Sequence, residues 1–226
     1  MQTAFQSSFE EGSYDYQGIL QLTCPTGWTP HWVDGSADGI LHRPEYDLKD
    51  RQRGHPEVRT GRFSASFYTI FATHDACLCR KFRVAPGKLV RASVWAMNVT
   101  NSSGGRDGGH GMRVGIDPTG GEDHTAPSVV YGGWWSSYMP DWREHEWREL
   151  SVETAAEAEV VTVFLHAKCD YAADINASHW DDFQLQVGEA GPQPSVNEEG
   201  ICPTLAQIEE IVRRVVREEL DRLREG

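Results

Sequence analysis

Apolar residues along most of the chain occur in short runs that are separated by turn-forming residues. Eight runs have the length and the Val, Thr, Phe and Trp content that are typical of β-strands. They span residues 18–25, 63–72, 79–85, 89–99, 111–117, 147–154, 160–168 and 181–187. Between them lie Gly- and Asp-containing stretches such as "APGK" and "PTGGED", which permit tight connections. This pattern predicts an all-β fold, a jelly-roll β-sandwich.

The run at residues 89–99 carries apolar side chains on both of its faces. Alternation places Ala92, Val94 and Ala96, and with them Asn98, on one face, and Trp95 among the residues of the other face. A strand with two apolar faces suits the interior of a sheet. We therefore expect this run to be an inner strand of the sandwich.

The strand-like alternation ends near residue 188. Residues 188–200 are rich in Pro, Gly and acidic residues and lack periodicity, which is typical of a linker. Residues 201–226 then carry an apolar stripe with helical spacing. The stripe consists of Leu205, Ile208, Ile211, Val212, Val215, Val216, Leu220 and Leu223. The sequence thus predicts a β-domain over residues 1–187, a linker over 188–200 and a C-terminal amphipathic α-helix over 201–226.

The predicted helix over residues 201–226 needs a partner, because a single helix on a flexible linker cannot bury such a stripe. Its partner is either other copies of the chain, through self-association, or the β-domain or a second protein. The stripe is broader than a strict coiled-coil seam, and Glu219 falls where that seam would continue. This pattern favours a trimeric or higher bundle, and docking remains the alternative.

The charge balance excludes some classes of partner. The chain has 34 Asp and Glu against 21 Lys and Arg, a formal net charge of −13, which repels phosphate backbones and anionic lipid surfaces. No run approaches the ~18 apolar residues of a membrane span. We therefore expect no nucleic acid partner and no membrane insertion. The N-terminal residues lack the pattern of a signal peptide, and the five Cys are an odd set, so we expect synthesis in the cytoplasm and mostly free thiols.

The familiar catalytic motifs are missing from the sequence. It contains no GxSxG, HExxH, P-loop or helix-opening GxGxxG, and its His residues have no clear partner pattern. Paired carboxylates for sugar hydrolysis stay open, because the separation of about 5 to 10 Å that they need cannot be deduced from sequence. We expect that the chain is not an enzyme.

Aromatic residues concentrate in two segments, "GWTPHW" and "YGGWWSSYMPDW". An indole ring on a loop can stack on the C–H face of a sugar, while neighbouring polar groups bind the hydroxyls. The candidate ligand contacts are Trp28, Trp32, Trp134, Trp135, Tyr138 and Trp142. The alternative for each of them is a place in the core or an anchoring role in its loop.

Two short polar motifs are further candidates for ligand contact. "HRPEY" contains Arg43 and Glu45, which could instead form a structural ion pair, and "ATHDA" contains His74 and Asp75. Both His74 and Asp75 follow a predicted strand, so we expect them at the rim of the sandwich.

Three stretches, "SSFEEGSY", "VRTGRFSASF" and "SHWDDFQLQV", occur in an order and spacing that resemble a known family. Over residues 5–187 the chain is similar to the carbohydrate-binding-module type of galactose-binding-like jelly roll. The resemblance implies that the first and last strands lie side by side and share a structural Ca²⁺ ion. Its ligands would be Glu10, the main chain near Thr60, Gly61 and Arg62, and Asp181 or Asp182.

The oxygen-rich ligand set that the resemblance implies suits Ca²⁺, which would relieve the repulsion between the adjacent acids. Whether Glu10 or Glu11 would bind the ion is open, and a solvated acidic edge is the alternative. For function, we expect a non-catalytic, lectin-like domain that binds a glycan or cell-surface polysaccharide. Several copies would be displayed in an assembly such as a phage virion surface. A purely structural decoration, tail or fibre protein without a sugar ligand is the alternative.

Overall fold

The structure is a computed structural model that describes residues 1–35, 41–101, 109–136 and 146–189. Met1–Ala190 form one compact unit. The predicted helix over residues 201–226 and nearly all of the predicted linker lie outside the described residues. In the described part, no helix has both the length and the apolar character needed to cross a membrane.

The described residues form thirteen β-strands and two single-turn 3₁₀ helices. The strands are β1 (Gln2–Ser7), β2 (Ser13–Asp15), β3 (Thr23–Pro25), β4 (Thr29–Trp32), β5 (Glu45–Asp50), β6 (Phe63–Thr69), β7 (Asp75–Arg83), β8 (Leu89–Asn101), β9 (Gly111–Asp117), β10 (Val130–Tyr131), β11 (Arg148–Ala155), β12 (Val160–Lys168) and β13 (Ile175–Gly188). The 3₁₀ helices span Tyr16–Gly18 and Arg51–Arg53.

The strands form two antiparallel sheets and one short hairpin. The six-stranded sheet has the order β11-β8-β13-β6-β5, with β1 also paired to β13. The five-stranded sheet has the order β10-β9-β12-β7-β4, and β2 pairs with β3. The prediction of an all-β sandwich is confirmed. The first and last strands lie side by side, as the resemblance implied.

The core lies between the two sheets and receives alternate side chains from both. Strand β8 contributes Val90, Ala92, Val94 and Ala96, and it lies between β11 and β13. This confirms that residues 89–99 are an inner strand. The fully buried aromatic side chains include Trp28, Trp180, Phe67 and Phe183. Full burial of one large apolar side chain stabilises the fold by about 1.5–3 kcal/mol.

The predicted strand over residues 18–25 is largely wrong. Only Thr23–Pro25 are extended there, and turn hydrogen bonds from Ile19 N to Tyr16 O and from Leu22 N to Ile19 O hold the preceding residues. Strands β1, β2, β4, β5 and β10 have no counterpart in the predicted runs. Strands β2 and β10 have only three and two residues, most of β1 is exposed, and β4 is an edge strand that contains a proline. Strand β5 does alternate, but only Tyr46 and Leu48 carry the apolar side of its pattern.

Candidate ligand-binding site

The outer face of the five-stranded sheet collects polar side chains from three neighbouring strands. In β12, Val163 and Leu165 point into the core, so His166 points to the outside. His166 pairs with Arg113 of β9, and Lys168 pairs with Asp75, the first residue of β7. Because directly paired residues share a face, the four polar side chains meet at one end of the sheet.

These polar side chains form a hydrogen-bonded chain. Arg113 Nε donates to His166 Nδ1 at 3.0 Å, and His166 Nε2 lies 2.8 Å from Asp75 Oδ1. An arginine can only donate, so Nδ1 of His166 accepts and its proton is on Nε2, which donates to the carboxylate. His124 Nε2 lies 3.2 Å from the same Asp75 oxygen, and Lys168 Nζ lies 3.5 Å from the other.

Burial and hydrogen bonding fix the charges of His166 and Asp75 at neutral pH. Burial lowers the pKa of His166 to about 4, although its hydrogen bond to Asp75 acts in the opposite direction. Burial alone would raise the pKa of Asp75, but hydrogen bonds from His124 and His166 hold that pKa well below its usual value. His166 is therefore neutral, and Asp75 is a carboxylate.

Asp75, His124 and His166 resemble a two-histidine, one-carboxylate metal centre. Their nearest ligand atoms all lie within 4.8 Å of one another. A metal, however, needs an unprotonated ring nitrogen, and Arg113 occupies the only lone pair that His166 offers. As long as Arg113 donates to Nδ1, the arrangement fits a hydrogen-bonded cluster better than a metal site.

Two aromatic rings enclose the guanidinium of Arg113. Its Cζ lies 3.5 Å from the ring centroid of Tyr131 and 4.0 Å from that of Trp134. The rings approach the sheet closely because β9 has glycine on either side of Arg113. A Cβ at Gly111 would lie 2.9 Å from Trp134 Cε3, and a Cβ at Gly115 would lie 2.5 Å from Tyr131 Cε1. The G-x-R-x-G spacing thus makes room for both rings.

Trp134 also borders an open groove. Its side chain is 49% exposed, and its ring centroid lies 5.2 Å from that of His166 beneath it. The groove has a volume of about 470 Å³. It is lined by Gly109, Gly111, Trp134, Ser136, Lys168 and Asp170.

The connection from β9 to β10 covers another part of the same sheet face. Val129 packs on Cys77, Cys79 and Phe164, which are buried although they point away from the core. Tyr131 Oη donates to the main-chain oxygen of His124 at 2.6 Å and helps to hold this connection. The end of the sheet next to Trp134 lies beside the open groove.

Several predicted ligand contacts belong to the core instead. Trp28 is fully buried and packs against Phe9 and Phe183, so its prediction as a surface contact is wrong. His74 is also fully buried and is not at the rim. Trp135 is 8% exposed and follows Trp134 in an extended segment, where neighbouring side chains point to opposite sides.

Three further predicted contacts, Trp32, Arg43 and Glu45, do not line the Trp134 groove. Trp32 is half-buried against the core, and its Nε1 donates to Asp34. Arg43 donates to Gln21, and Glu45, at the start of β5, accepts a hydrogen bond from Tyr68 Oη. Tyr138 and Trp142 lie outside the described residues. Of the predicted ligand contacts, the structure brings together Trp134 and Asp75, through His166.

Sequence reasoning missed the residues that connect Trp134 and Asp75. They are Arg113, His124, His166 and Lys168. The signal was present in part: alternation places Gly111, Arg113 and Gly115 on one face of β9, and His166 and Lys168 on one face of β12. The sequence pattern did not show that β9 and β12 pair with each other.

The residues predicted to bind Ca²⁺ do meet where β1 and β13 pair. Glu10 Oε1 accepts hydrogen bonds from Arg62 N at 2.7 Å and Phe63 N at 2.9 Å, and a Cβ at Gly61 would lie 2.4 Å from this oxygen. Asp181, on β13, is fully buried. Its Oδ2 accepts from the main-chain N–H groups of Arg59 and Thr60, at 2.9 and 3.0 Å.

Asp182 completes this junction at a bulge in β13, where its φ is +48°. Its Oδ1 accepts from Ser8 Oγ at 2.8 Å and Thr60 Oγ1 at 2.5 Å, and its Oδ2 pairs with Arg59 Nη1. Ca²⁺ needs six to eight oxygen ligands, whereas N–H and O–H donors face these carboxylates. The arrangement does not fit a bound calcium, and the calcium site stays a prediction from the resemblance alone.

No family model matches the chain, and no curated protein matches its sequence. Several solved structures are similar to it. TmCBM61 in complex with β-1,4-galactotriose is 12% identical, with a TM-score of 0.45 over 72% of this chain and 90% of that one. The CBM22-1 xylan-binding domain of Paenibacillus barcinonensis Xyn10C is 15% identical, with a TM-score of 0.44 over 83% and 95%.

A third similar structure is a cyclase from Fischerella sp. TAU in complex with 4-(1H-indol-3-yl)butan-2-one. It is 13% identical, with a TM-score of 0.47 over 83% of this chain and 100% of that one. Carbohydrate-binding modules, the type of domain that the sequence resembles, are thus among the solved structures similar to the chain.

Proposed function

We propose that the chain is a non-catalytic carbohydrate-binding domain and that the groove beside Trp134 is its binding site. The observation that carries the proposal is the half-exposed indole of Trp134, which rests on Gly111 and Arg113 and leaves part of its surface open. An exposed, rigidly supported indole can stack on the C–H face of a pyranose ring. Lys168 and Asp170 line the same groove and offer a donor and an acceptor for sugar hydroxyls.

The hydrogen bonds around the groove favour binding without catalysis. Both ring nitrogens of His166 are engaged, one by Arg113 and one by Asp75, so the imidazole has no free site for acid or base chemistry on a ligand. Asp75 is in turn engaged by His124 and Lys168. These groups act as supports of the binding surface.

The test begins with a glycan array of the full chain, followed by calorimetry on the glycan that binds best. Trp134→Ala is expected to weaken that binding at least about tenfold, since central aromatic contacts commonly carry more than 1.4 kcal/mol. Trp134→Phe keeps an aromatic face and is expected to lose less. Tyr14→Ala removes an aromatic residue that is 38% exposed in the hairpin of β2 and β3, and it is the control.

Unchanged binding by Trp134→Ala would show that the glycan binds elsewhere. Binding of no glycan at all would instead favour the alternative, a structural component without a sugar ligand. The two outcomes separate the position of the site from the function itself.

We also propose that several copies of the domain are displayed together through residues 201–226, as part of an assembly such as a virion surface. The apolar stripe in the sequence of this segment supports the proposal. Single sugar sites are weak, and linking copies raises the effective concentration of the next contact. Light scattering on the full chain and on residues 1–200 tests it: an equal number of copies in both would count against it.

A further inference from the structure

The junction between β1 and β13 contains a positively charged side chain, that of Arg59. We propose that Arg59 is the permanent counter-ion of Asp182, and that its guanidinium takes the role that the family resemblance gives to Ca²⁺. Burial and the neighbouring Asp182 raise the pKa of Asp181 to about 7, so the charge that most needs a partner at neutral pH is that of Asp182, and a side chain of the same domain supplies it.

Arg59 is held in place from two sides. Its Nη1 forms an ion pair with Asp182 Oδ2. Its Cζ lies 3.7 Å from the ring centroid of Trp95, which pairs directly with Asp181 across β8 and β13. A planar guanidinium suits both contacts, because it can stack on an indole and bind a carboxylate at the same time. The side chains of Arg59 and Asp182 are 30% and 20% exposed, so solvent only partly screens the pair.

The other carboxylate oxygens of the pair are also occupied by protein donors. The main-chain N–H groups of Arg59 and Thr60 bind Asp181 Oδ2, and the N–H of Asp182 binds Asp181 Oδ1 at 2.8 Å. The hydroxyls of Ser8 and Thr60 bind Asp182 Oδ1. A metal ion would have to displace several of these donors and the guanidinium before it found enough oxygen ligands.

The segment that carries Arg59 joins the sheet elements that the junction must connect. Residues 59 and 60 bind β13 through their main chain, while residues 62 and 63 bind Glu10, which follows β1. Arg59 thus neutralises Asp182 at the point where three separate parts of the chain meet. The first and last strands of the domain are closed by hydrogen bonds and one internal ion pair, and their closure is independent of calcium.

The test is thermal unfolding of the full chain with 5 mM EDTA and with 10 mM CaCl₂. For the unaltered protein we expect the two Tm values to agree within about 1 °C. Arg59→Ala is expected to lower Tm by about 5–10 °C, because it leaves the Asp182 carboxylate without a counter-ion. Calcium is expected to recover part of that loss, about 3–6 °C at ten times its Kd, since the vacated position favours a cation. Arg59→Lys keeps the charge and is expected to remain insensitive to calcium.

Arg62→Ala is the matched control. Arg62 also forms an ion pair with a carboxylate, that of Asp50, and its guanidinium lies 4.6 Å from the ring centroid of Phe63. Its main-chain N–H to Glu10 is not affected by the substitution. The side chain of Arg62 makes two hydrogen bonds to Asp50, whose side chain is 7% exposed, so we expect a comparable loss of Tm but no recovery by calcium.

Two results would overturn the proposal. One is a fall in the Tm of the unaltered protein on chelation that calcium reverses, because the junction would then depend on the metal. The other is a Tm of Arg59→Ala equal to that of the unaltered protein, with no calcium response. If Arg59→Ala does not fold, calorimetric titration of the unaltered chain with CaCl₂ decides: binding of one equivalent contradicts the proposal, and the absence of binding heat supports it.

Discussion

The exposed ring of Trp134 rests on the guanidinium of Arg113, with 4.0 Å between the ring centroid and Cζ. Arg113 in turn donates to His166, which donates to Asp75 Oδ1. The ring that would meet a ligand is therefore positioned by a chain of hydrogen bonds that begins at an acid on another strand. A polar cluster under an aromatic surface limits the motion of the ring, and rigid rings lose less entropy when they bind.

Gly111→Ala tests whether close approach of Trp134 to β9 is required. The new Cβ would lie 2.9 Å from Trp134 Cε3, so the ring must move. We expect binding of the strongest array glycan to weaken about tenfold or more, with a stability loss of about 1–3 kcal/mol from the steric conflict. Calorimetry and urea unfolding measure the two effects.

Gly133→Ala is the control for this substitution. It adds the same methyl group next to Trp134 in sequence, but no atom lies within 4 Å of the new Cβ. The affinity of Gly133→Ala for the same glycan is expected to match that of the unaltered chain. Equal weakening by both substitutions would mean that flexibility of the segment, and not the position of the ring on Gly111, governs binding.

The fold was predictable from sequence where burial and alternation coincide. Residues 89–99 follow one inner and one outer face, and they became the interior strand β8 as expected. Strand β5 was not predicted, although Tyr46 and Leu48 alternate with charged residues, because only two apolar side chains carry the pattern. Its burial comes from pairing with β6 and from Tyr46, whose hydroxyl lies 2.9 Å from the main-chain oxygen of His31 and 3.1 Å from that of Cys77 and can donate its one proton to either.

The candidate site was predictable only in part. Sequence composition pointed to tryptophans, but it could not separate Trp28, which fills the core, from Trp134, which is exposed. The difference depends on which face of the chain meets the opposite sheet. Asp75 and His166 lie 91 residues apart, and only the pairing of β7 with β12 brings them together. Long-range register of this kind has no local signal in a single sequence.

Arg113→Lys tests whether positive charge alone supports the site. Lysine keeps the charge but cannot reproduce the planar stack between Tyr131 and Trp134 together with the directed N–H to His166. We expect the free energy of unfolding to fall by about 1–3 kcal/mol, from the lost hydrogen bond and the weaker aromatic contacts. Urea unfolding measures it, and glycan affinity should fall as well.

Arg91→Lys provides the comparison for that experiment. Arg91 is an exposed residue on β8, away from the five-stranded sheet, and the same exchange there should change stability by less than about 0.5 kcal/mol. A loss in Arg113→Lys as small as that in Arg91→Lys would mean that the stacked guanidinium contributes nothing beyond its charge.

Protonation of the buried His110 lowers the stability of the fold at acidic pH. Its ring is 1% exposed, its Nε2 contacts Ser178 Oγ at 3.0 Å, and burial lowers its pKa to about 3. The unfolded chain, with a His pKa near 6.5, therefore takes up the proton first. The stabilisation is complete above about pH 6.5 and is lost as the pH falls towards 3, on the order of 5 kcal/mol in all. Neighbouring His74, also with a pKa held low by burial, acts in the same direction.

Urea unfolding at pH 7, 5.5 and 4 measures this dependence. His110→Gln removes the titrating group, so its free energy of unfolding should fall less steeply with acid, by up to about 1.4 kcal/mol per pH unit. His42→Gln alters an exposed imidazole and should leave the slope of the unaltered chain in place. Parallel curves for His110→Gln and the unaltered protein would show that the buried ring at position 110 does not resist protonation, and that the acid sensitivity arises elsewhere.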